Sequence, residues 1–298
     1  MRITIFGGEV PTLDAAVAAA KQVEAEGFAG FYLPQIFGLD ALTTLAIVGR
    51  EVPRIELGTG VVPTYPRHPM MLAAQALTTQ QACGGRLTLG IGLSHQIVIE
   101  SMFGYSYDKP ARHMREYLSI LMPLLHGEAS AFTGETLTGN GSIAVDAAPV
   151  PVLVAALGPR MLELAGRLTE GTVTWMTGPA TLESHIVPSI QKAAADAGRP
   201  APRVAVGLPV CVTDDAAGAR ERAAKTFEVY GMLPSYRAML DREGAAGPAD
   251  VAIVGDEATV AAGIKRVADA GATDFSAAEF ATDPNERTRT RELLRSLL

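Results

Sequence analysis

Short apolar runs alternate with amphipathic segments along the whole chain, and most of the runs end in polar or glycine-containing turns. Such runs predict buried strands, and the amphipathic segments after them predict helices. The predicted strands cover residues 2–6, 30–33, 55–61, 87–91, 152–156, 172–175, 204–210 and 273–280. The runs are continuously apolar rather than strictly alternating, which favours strands that are covered on both faces.

The amphipathic segments predict helices at residues 12–26, 41–51, 70–83, 110–125, 159–168, 181–197, 216–242, 257–270 and 284–298. Thr12 is suited to cap the first of them, because its side chain can accept from a free N–H at the helix start. Asp283 and Pro284 are suited to the cap and the first position of the last helix. Local capping signals therefore support the periodicity at both ends of the chain.

Eight strands that alternate with helices predict a closed parallel (β/α)8 barrel, the TIM-barrel architecture, as one domain over residues 1–298. An open doubly wound sheet is the alternative, but no dinucleotide-binding glycine pattern follows the first strand. Two insertions interrupt the repeat. The turn-rich residues 128–149, between the fourth and fifth strands, predict a hairpin over one mouth of the barrel. A mostly helical stretch, residues 214–250, separates the seventh strand from the eighth.

Composition narrows the class of protein further. Apolar residues make up 48% of the chain and the net charge is −7 without a basic stripe, which argues against a nucleic-acid partner. The chain shows no signal-peptide pattern and no apolar run of membrane-spanning length, so we expect a cytoplasmic protein with no membrane partner. Cys83 and Cys211 lack partners at metal-ligand spacing, which predicts two buried thiols and no metal site.

In a barrel of this kind, chemistry belongs at the carboxyl ends of the strands. The third and fourth strands carry two glycines each near that end, Gly58 and Gly60, then Gly90 and Gly92. Glycine weakens a strand unless backbone must be approached closely or the strand must bulge. One interpretation is that a flat aromatic ring lies against this backbone. The other is that small residues merely fit the tapered interior of the barrel.

A second candidate feature is the turn after the fifth strand, where Leu157 and Gly158 lead into a helix. Free N–H groups and the positive end of the helix dipole make such a helix start an anion site. Pro159 lacks an N–H, so Gly158, Arg160 and Met161 would supply the donors, and the Arg160 side chain could add a charged contact. The alternative is an ordinary helix start.

The stretch RIELGTGVVPTYPRHPMMLAAQALTTQQACGGRLTLGIGLS resembles the luciferase-like monooxygenase superfamily, in which L-G-T-G-V, R-H-P and G-G-R-x-x-L-G-x-G follow one another in this order. The segments EAEGFAGFYLPQ, PVPVLVAALGPRMLELAGRLTEGTVTW and IVGDEATVAAGIKRVADAGATDF also match the pattern of that family. The similarity covers nearly the whole chain, and its motifs fall at the predicted strand ends.

This resemblance implies a barrel that binds either FMN or coenzyme F-420, a deazaflavin that transfers hydride only. The segment LPQIFGLDAL is similar to actinobacterial coenzyme F-420-dependent oxidoreductases, which favours the deazaflavin. The resemblance also implies a cis peptide bond at Gly60–Val61 that forms a bulge behind the ring, and a homodimer. The cofactor residues it implies are Gly7, Thr59, Gly60, Val61, Gly92 and Ser94, with Leu157, Gly158, Arg160 and Met161 at the phosphate.

The sequence departs from the family at the proton-transfer positions. Sugar-phosphate and alcohol dehydrogenases of the family carry a His after the second strand and a Glu after the fourth, where this chain has Pro34-Gln35 and Leu93-Ser94. The departure favours reduction of a small unsaturated organic substrate over alcohol oxidation. Gln35 and His95 are the candidates for proton transfer, and Gln35, Phe37, His95 and Trp175 are the predicted substrate pocket.

The remaining histidines are predicted to lie outside the chemistry. The resemblance gives His68 a cofactor-side or structural role, while His113, His126 and His185 are expected at the surface of helices away from the mouth. Two alternatives to a deazaflavin reductase stay open. One is an FMN-dependent monooxygenase that uses oxygen, and the other is a cofactor-binding barrel that has lost catalysis.

Overall fold

The computed structural model describes residues 1–298. Its strands are β1 (Arg2–Phe6), β2 (Gly30–Leu33), β3 (Glu56–Thr59), β4 (Val62–Pro63), β5 (Leu87–Gly92), β6 (Ser130–Thr133), β7 (Thr138–Gly141), β8 (Val152–Ala155), β9 (Gly171–Trp175), β10 (Arg203–Val212), β11 (Ile253–Gly255) and β12 (Asp274–Glu279). Its helices are α1 (Leu13–Ala25), α2 (Ala41–Glu51), α3 (Pro69–Ala82), α4 (Gln96–Ser101), α5 (Pro110–Leu125), α6 (Pro159–Leu168), α7 (Pro179–Thr181), α8 (Val187–Asp196), α9 (Ala216–Thr226), α10 (Glu228–Met232), α11 (Pro234–Glu243), α12 (Pro248–Val251), α13 (Glu257–Asp269) and α14 (Pro284–Ser296).

The strands β1, β2, β3, β5, β8, β9, β10 and β12 pair in parallel with their neighbours, and β10 closes the circle because it pairs with both β9 and β12. Strand β4 continues the path of β3 beside β5, and β11 pairs with the end of β10. The predicted (β/α)8 barrel is therefore confirmed. None of its helices is long and apolar enough to cross a membrane.

The outer faces of the strands form the core, with Ile5, Phe31 and Leu57 buried under the helices. The inside of the barrel is different. Bulky branched side chains usually fill a TIM barrel, but here small or polar residues such as Thr4, Gly207 and Ser276 border open space. The interior is therefore a cavity rather than a packed core.

The capping signals in the sequence are confirmed at both ends of the chain. Thr12 accepts a hydrogen bond from the Ala15 N–H at 3.1 Å, and Asp283 accepts from Asn285 and Glu286 at the start of α14. Helices α5 and α6 have the predicted bounds. Both cysteines are buried and free, as expected.

Three predicted elements are interrupted. The third strand ends at Thr59 and resumes at Val62, so it is not one run over residues 55–61. The stretch 216–242 is three helices, because Pro234 disfavours helical backbone at the residue before it and Leu233 is extended. Residues 181–197 contain a π-helical turn, Leu182–Ile186, before α8 begins.

The insertion after β5 contains the predicted hairpin, β6 paired antiparallel with β7. Its position differs from the prediction, because it packs on the outer helix α5 and contributes no residue to the central cavity. The buried Glu116 of α5 fixes it there. Its carboxylate accepts from the N–H groups of Glu135, Thr136 and Leu137, each at 3.0 Å, and from the Thr136 hydroxyl at 2.8 Å.

We expect Glu116→Ala to lower the free energy of unfolding by about 2–3 kcal/mol, because it removes the acceptor of several hydrogen bonds to a buried charge. Urea unfolding followed by circular dichroism measures this. Glu135→Gln is the matched control, since it breaks only the exposed ion pair with Arg112 and should change stability by less than about 1 kcal/mol. Equal losses for both variants would contradict this account of the anchor.

The same carboxylate should make stability depend on acid. Burial alone would raise the pKa of Glu116, but the hydrogen bonds from Thr136, Glu135 and Leu137 outweigh it and lower the pKa to about 2. A carboxyl whose pKa is lowered by folding stabilises the protein above its unfolded pKa of about 4.3 and loses that contribution as pH falls. Glu116→Ala should therefore lose less stability than the parent between pH values of roughly 5 and 2.

A charged cluster closes the amino end of the barrel. Arg203, at the start of β10, pairs with Asp274 at 2.8 Å and with Glu56 at 3.0 Å, and the Tyr32 hydroxyl donates to Glu56. Burial alone would raise the pKa of Glu56, but the charge of Arg203 and the bond from Tyr32 hold it below its usual value. The cluster forms a polar floor for the barrel interior, because Tyr32 and Asp274 border the space inside it.

Candidate active site

The central cavity has a volume of about 330 Å3 and extends from the charged cluster, where Asp274 borders it, to the carboxyl ends of the strands, where barrel enzymes carry their chemistry. Phe6 at the end of β1 and Trp175 at the end of β9 stack in its wall, with ring centroids 5.8 Å apart. Tyr230 of α10 meets Trp175 edge to face at 5.8 Å. The wall is therefore largely aromatic and aliphatic, and it suits a flat apolar group.

The bulge between β3 and β4 forms one side of this cavity. The peptide bond between Gly60 and Val61 is cis, as the family resemblance implied, and both residues line the cavity. A Cβ at Gly60 would lie 2.7 Å from the Phe6 ring, so glycine lets backbone and aromatic wall meet. Gly60 and Val61 thus lie where a cofactor ring would be supported.

The other strand glycines accommodate protein atoms instead of exposing backbone to a ligand. A Cβ at Gly58 would lie 2.2 Å from the Tyr32 ring, and one at Gly90 would lie 2.0 Å from the Thr59 carbonyl oxygen. At Gly92 it would lie 2.8 Å from Val61. For these positions the structure supports the interpretation that small residues fit the barrel. Gly60 makes room for Phe6 as well, but it is the one glycine of the four that borders the cavity, so it keeps the ligand-facing interpretation.

Gly92 does not border the cavity, and neither do the predicted cofactor residues Gly7 and Thr59. Gly7 packs against Phe31 of the neighbouring strand, since a Cβ there would lie 2.5 Å from that ring. The buried Thr59 hydroxyl bridges to β5, donating to the Gly90 carbonyl at 2.8 Å and accepting from the Gly90 N–H at 2.9 Å. Both residues therefore hold the strands together beside the site.

The start of α6 has free donors. An added Cβ at Gly158 would meet no atom within 4 Å, so the space in front of the helix is open. The N–H groups of Gly158 and Arg160 have no acceptor in the protein, whereas the Met161 N–H donates to the Gly158 carbonyl at 3.0 Å. The predicted anion site therefore keeps two of its three backbone donors. The Arg160 side chain is exposed beside them.

His95 and Ser94 lie together at the mouth, after β5. His95 precedes α4 and lines the cavity, and burial lowers its pKa, so the imidazole is neutral at pH 7. Ser94 has a positive φ of 59°, and its carbonyl accepts from the Tyr107 hydroxyl at 3.2 Å. The predicted placement of both residues at the pocket agrees with the structure, and Tyr107 fixes the turn that carries them.

Gln35 and Phe37 border the cavity from the loop after β2, as predicted. The Gln35 amide oxygen is already engaged, because it accepts from the Ala41 N–H at 2.8 Å at the start of α2. Arg67 reaches the same loop through its ion pair with Asp40. Gln35 is thus positioned as a loop anchor, which leaves His95 as the nearer candidate for a proton-transfer role.

Two histidines expected at the surface are buried. His113 is 9% exposed, stacks on Tyr65 at 3.9 Å and bonds to the Thr64 hydroxyl at 3.0 Å. His185 is 8% exposed, and its Nε2 bonds to the Leu157 carbonyl at 2.8 Å. The expectation was wrong because both helix faces pack against loops from distant parts of the chain. His185 supports the turn that leads into α6.

The other two histidines agree with the sequence analysis. His126 is exposed at the end of α5, as expected for a surface residue. His68 has a structural role, because its Nδ1 accepts from the Met70 N–H at 3.3 Å and caps α3. Its Nε2 lies 3.1 Å from the Thr138 carbonyl, so His68 also holds the hairpin.

Several wall residues were missed by the sequence analysis, namely Phe6, Tyr230, Tyr236 and Ser276. Phe6 and Ser276 could have been found, because each continues the period-two inner face of its strand from Thr4 or Asp274. Tyr230 and Tyr236 belong to the interrupted helical insertion, whose approach to the mouth has no local signal. Ser276 is 7% exposed and borders the cavity, and its buried hydroxyl has no hydrogen-bond partner.

The comparisons with known proteins agree with this geometry. The family model of luciferase-like monooxygenases matches residues 4–274. The chain is 30% identical to 5,10-methylenetetrahydromethanopterin reductase of Methanolobus tindarius over an alignment of 228 residues. This alignment covers 76% of this chain and 69% of that protein. This chain therefore belongs to the luciferase-like monooxygenase family, as the sequence motifs predicted.

Solved structures show the same fold at lower identity. Coenzyme F-420-dependent tetrahydromethanopterin reductase of Methanopyrus kandleri superposes with a TM-score of 0.81 at 21% identity, covering 99% of this chain and 97% of that one. A second structure is the oxygenating constituent of 3,6-diketocamphane monooxygenase of Pseudomonas putida, in complex with FMN. It superposes with a TM-score of 0.78 at 17% identity, covering 99% of this chain and 96% of that one. At these identities the likeness shows the fold alone.

Proposed function

We propose that this chain binds coenzyme F-420 and transfers hydride between it and an unsaturated organic substrate. The observation that carries the proposal is the pairing of an aromatic cavity with the open start of α6 at one end of the barrel. The 30% identical relative is named as a reductase, and a solved structure of this fold is named as coenzyme F-420-dependent. These names support a reductase that uses the deazaflavin.

The residues present fit such a cofactor. Gly60 and Val61 would back one face of its ring, and the Gly158 and Arg160 N–H groups would bind its phosphate. The unpartnered Ser276 hydroxyl offers a hydrogen bond to a polar group in the cavity. When bound in its reduced form, coenzyme F-420 supplies a hydride to an acceptor.

The protein's own part is orientation and exclusion of water. Phe6, Trp175 and Tyr230 form an apolar wall that would shield one side of a bound ring from solvent. No carboxylate lies at the strand ends after β2 and β5, where Pro34 and Leu93 stand. The neutral His95 can hydrogen-bond and orient a water molecule that donates the proton. These residues suit the reduction of a polarised double bond, because that reaction does not need a strongly acidic side chain to supply the proton.

The second candidate function is an FMN-dependent monooxygenase. The family description and the FMN complex of the Pseudomonas putida structure favour it, because the same cavity and phosphate site would accept FMN. The two candidates differ in the ring and in the tail beyond the phosphate. They can therefore be separated by binding before any substrate is known.

We expect isothermal titration of the purified protein to give an affinity for coenzyme F-420 at least about tenfold higher than for FMN, a difference of about 1.4 kcal/mol. Riboflavin, which lacks the phosphate, serves as the control and should bind more weakly than FMN. An FMN affinity equal to or above that for coenzyme F-420 would favour the monooxygenase. Tight binding of the deazaflavin without turnover of any enone would favour a barrel without catalysis.

A further inference from the structure

Exposed apolar side chains gather at the mouth of the cavity. Four side chains border the cavity and are 40–61% exposed. They are Ile36 and Phe37 on the loop after β2, Phe103 after α4, and Val229 on α10. We call these four residues the apolar rim. Four more exposed apolar side chains flank them in sequence: Ile97, Met102, Tyr105 and Met232. Eight of the fourteen large exposed apolar residues of the chain thus lie on three segments around one opening.

The size of the cavity says what can lie inside it. A volume of about 330 Å3 is near the lower end of the range that encloses a single drug-sized ligand, roughly 300–1,000 Å3. A cofactor ring would take up much of this volume, which leaves room chiefly for the reacting part of a substrate. The remainder of a larger substrate must pass through the mouth and contact the apolar rim.

The charges of the cavity wall favour an uncharged substrate. Asp274 is the only charged residue that borders the cavity, and it is neutralised by Arg203 at 2.8 Å and Arg2 at 3.2 Å. Because His95 is neutral as well, no wall residue has a free charge for a phosphate, carboxylate or ammonium group. Burying an unpaired ion there would be costly, so a small charged metabolite is a poor fit.

We propose, on the basis of the function proposed above, that the substrate is an uncharged enone or enoate ester with an extended hydrocarbon portion. Its conjugated double bond lies in the cavity and its hydrocarbon portion lies along the apolar rim. In the reaction, one carbon of the double bond gains a hydride and its neighbour gains a proton from water. The substrate is thereby reduced by two electrons, and reduced deazaflavin is oxidised by two electrons.

The arrangement of the rim favours a ligand over a protein or a bilayer. Its three segments surround an opening and are continuous with the cavity wall through Phe37, Phe103 and Val229. A hydrocarbon chain that leaves the cavity through this opening would pass between these segments.

The test measures binding along a homologous series of methyl ketones, from butanone to dodecanone, which resemble the product and cannot be reduced when the cofactor is in its oxidised form. Trp175 is the only tryptophan and borders the cavity, so its fluorescence reports occupancy. The protein is loaded with oxidised coenzyme F-420, and the series is repeated without cofactor. We expect affinity to rise about twofold to fourfold for each methylene that contacts the rim. A flat series would overturn the proposal.

Variants of the rim locate the effect. Phe37→Ser, Phe103→Ser and Val229→Ser should each lower the ratio of dodecanone to butanone affinity by about threefold to tenfold. Met71→Ser is the matched control, because Met71 is 63% exposed on α3 outside the rim, and it should leave the ratio unchanged. Thermal melting confirms that each variant is folded. An unchanged ratio in all three rim variants would contradict a role for the rim.

Two further measurements separate this proposal from a membrane-binding role of the rim and from a failure of the proposed function. Binding of the parent to phosphatidylcholine vesicles that is lost in Phe37→Ser, together with a flat ketone series, would assign the rim to a bilayer and overturn the substrate proposal. Titration with coenzyme F-420 tests the proposed function by itself. A chain that binds the cofactor but shows no dependence on chain length keeps its function and loses this inference.

Discussion

Gly90→Ala is expected to lower the free energy of unfolding by about 3–5 kcal/mol, at the upper end of what single substitutions do. The added Cβ would lie 2.0 Å from the carbonyl oxygen of Thr59, a backbone atom of the neighbouring strand that cannot rotate away. Relief requires β3 and β5 to separate at the point where Thr59 and Gly90 exchange two hydrogen bonds. Guanidinium unfolding followed by circular dichroism, or the soluble yield if the variant does not fold, measures the effect.

Gly38→Ala is the control for the same chemical change. A Cβ at Gly38 would meet only the flexible Glu9 carboxylate, at 3.7 Å. This variant should therefore stay within about 1 kcal/mol of the parent, and it can gain stability because alanine restricts the unfolded chain. If Gly90→Ala were as stable as Gly38→Ala and instead bound a flavin poorly, the original interpretation of Gly90 as ligand-facing backbone would be restored.

The role of Gly90 shows what the sequence could not reveal. The alternation of apolar runs and amphipathic segments predicts eight strands in the right places, because burial on two faces and helical periodicity are local patterns. Which strand glycine faces a ligand depends on the neighbour across the sheet. Tyr32 beside Gly58 and Thr59 beside Gly90 come from strands distant in sequence, so their approach has no local signal.

The burial of His185 also had no local signal, whereas the burial of His113 did. His185 depends on the Leu157 carbonyl, which is contributed by a turn far from it in the chain. His113 could have been recognised, because Met114, Tyr117 and Leu121 follow it at helical spacing and are buried on α5. Its contact with Tyr65 could not have been predicted, since that residue arrives from the loop after β4.

The open start of α6 was predictable because its signal is local. A glycine before Pro159 at the first helical position marks the helix start, and the fold places that start at the carboxyl end of β8. The sequence overcounted its donors, since the Met161 N–H is already bonded within the first turn. What no local pattern could give is the open space in front of Gly158, which the next substitution uses.

Gly158→Asp is expected to weaken binding of the phosphate-bearing cofactor about tenfold to hundredfold while the protein stays folded. Gly158 has room for a side chain, because an added Cβ meets no atom within 4 Å. Aspartate is also a favoured residue before the first turn of a helix, so α6 should be as stable as before or slightly more so. Its carboxylate would occupy the space of the phosphate, and repulsion of about 1–3 kcal/mol corresponds to the expected loss.

Gly158→Asn separates charge from size, because asparagine has nearly the same shape and caps helices about as well as aspartate. Titrations with coenzyme F-420 and FMN should show a loss for Asn of no more than about a third of that for Asp, in free energy. Repulsion between exposed charges is screened by salt, so the deficit of the Asp variant should shrink as ionic strength rises toward roughly 1 M. Equal losses for Asp and Asn at every salt concentration would mean that bulk, rather than charge, opposes the ligand at this position. No loss in either variant would place the phosphate elsewhere, and the pairing of cavity and helix start that supports the proposed function would then have to be abandoned.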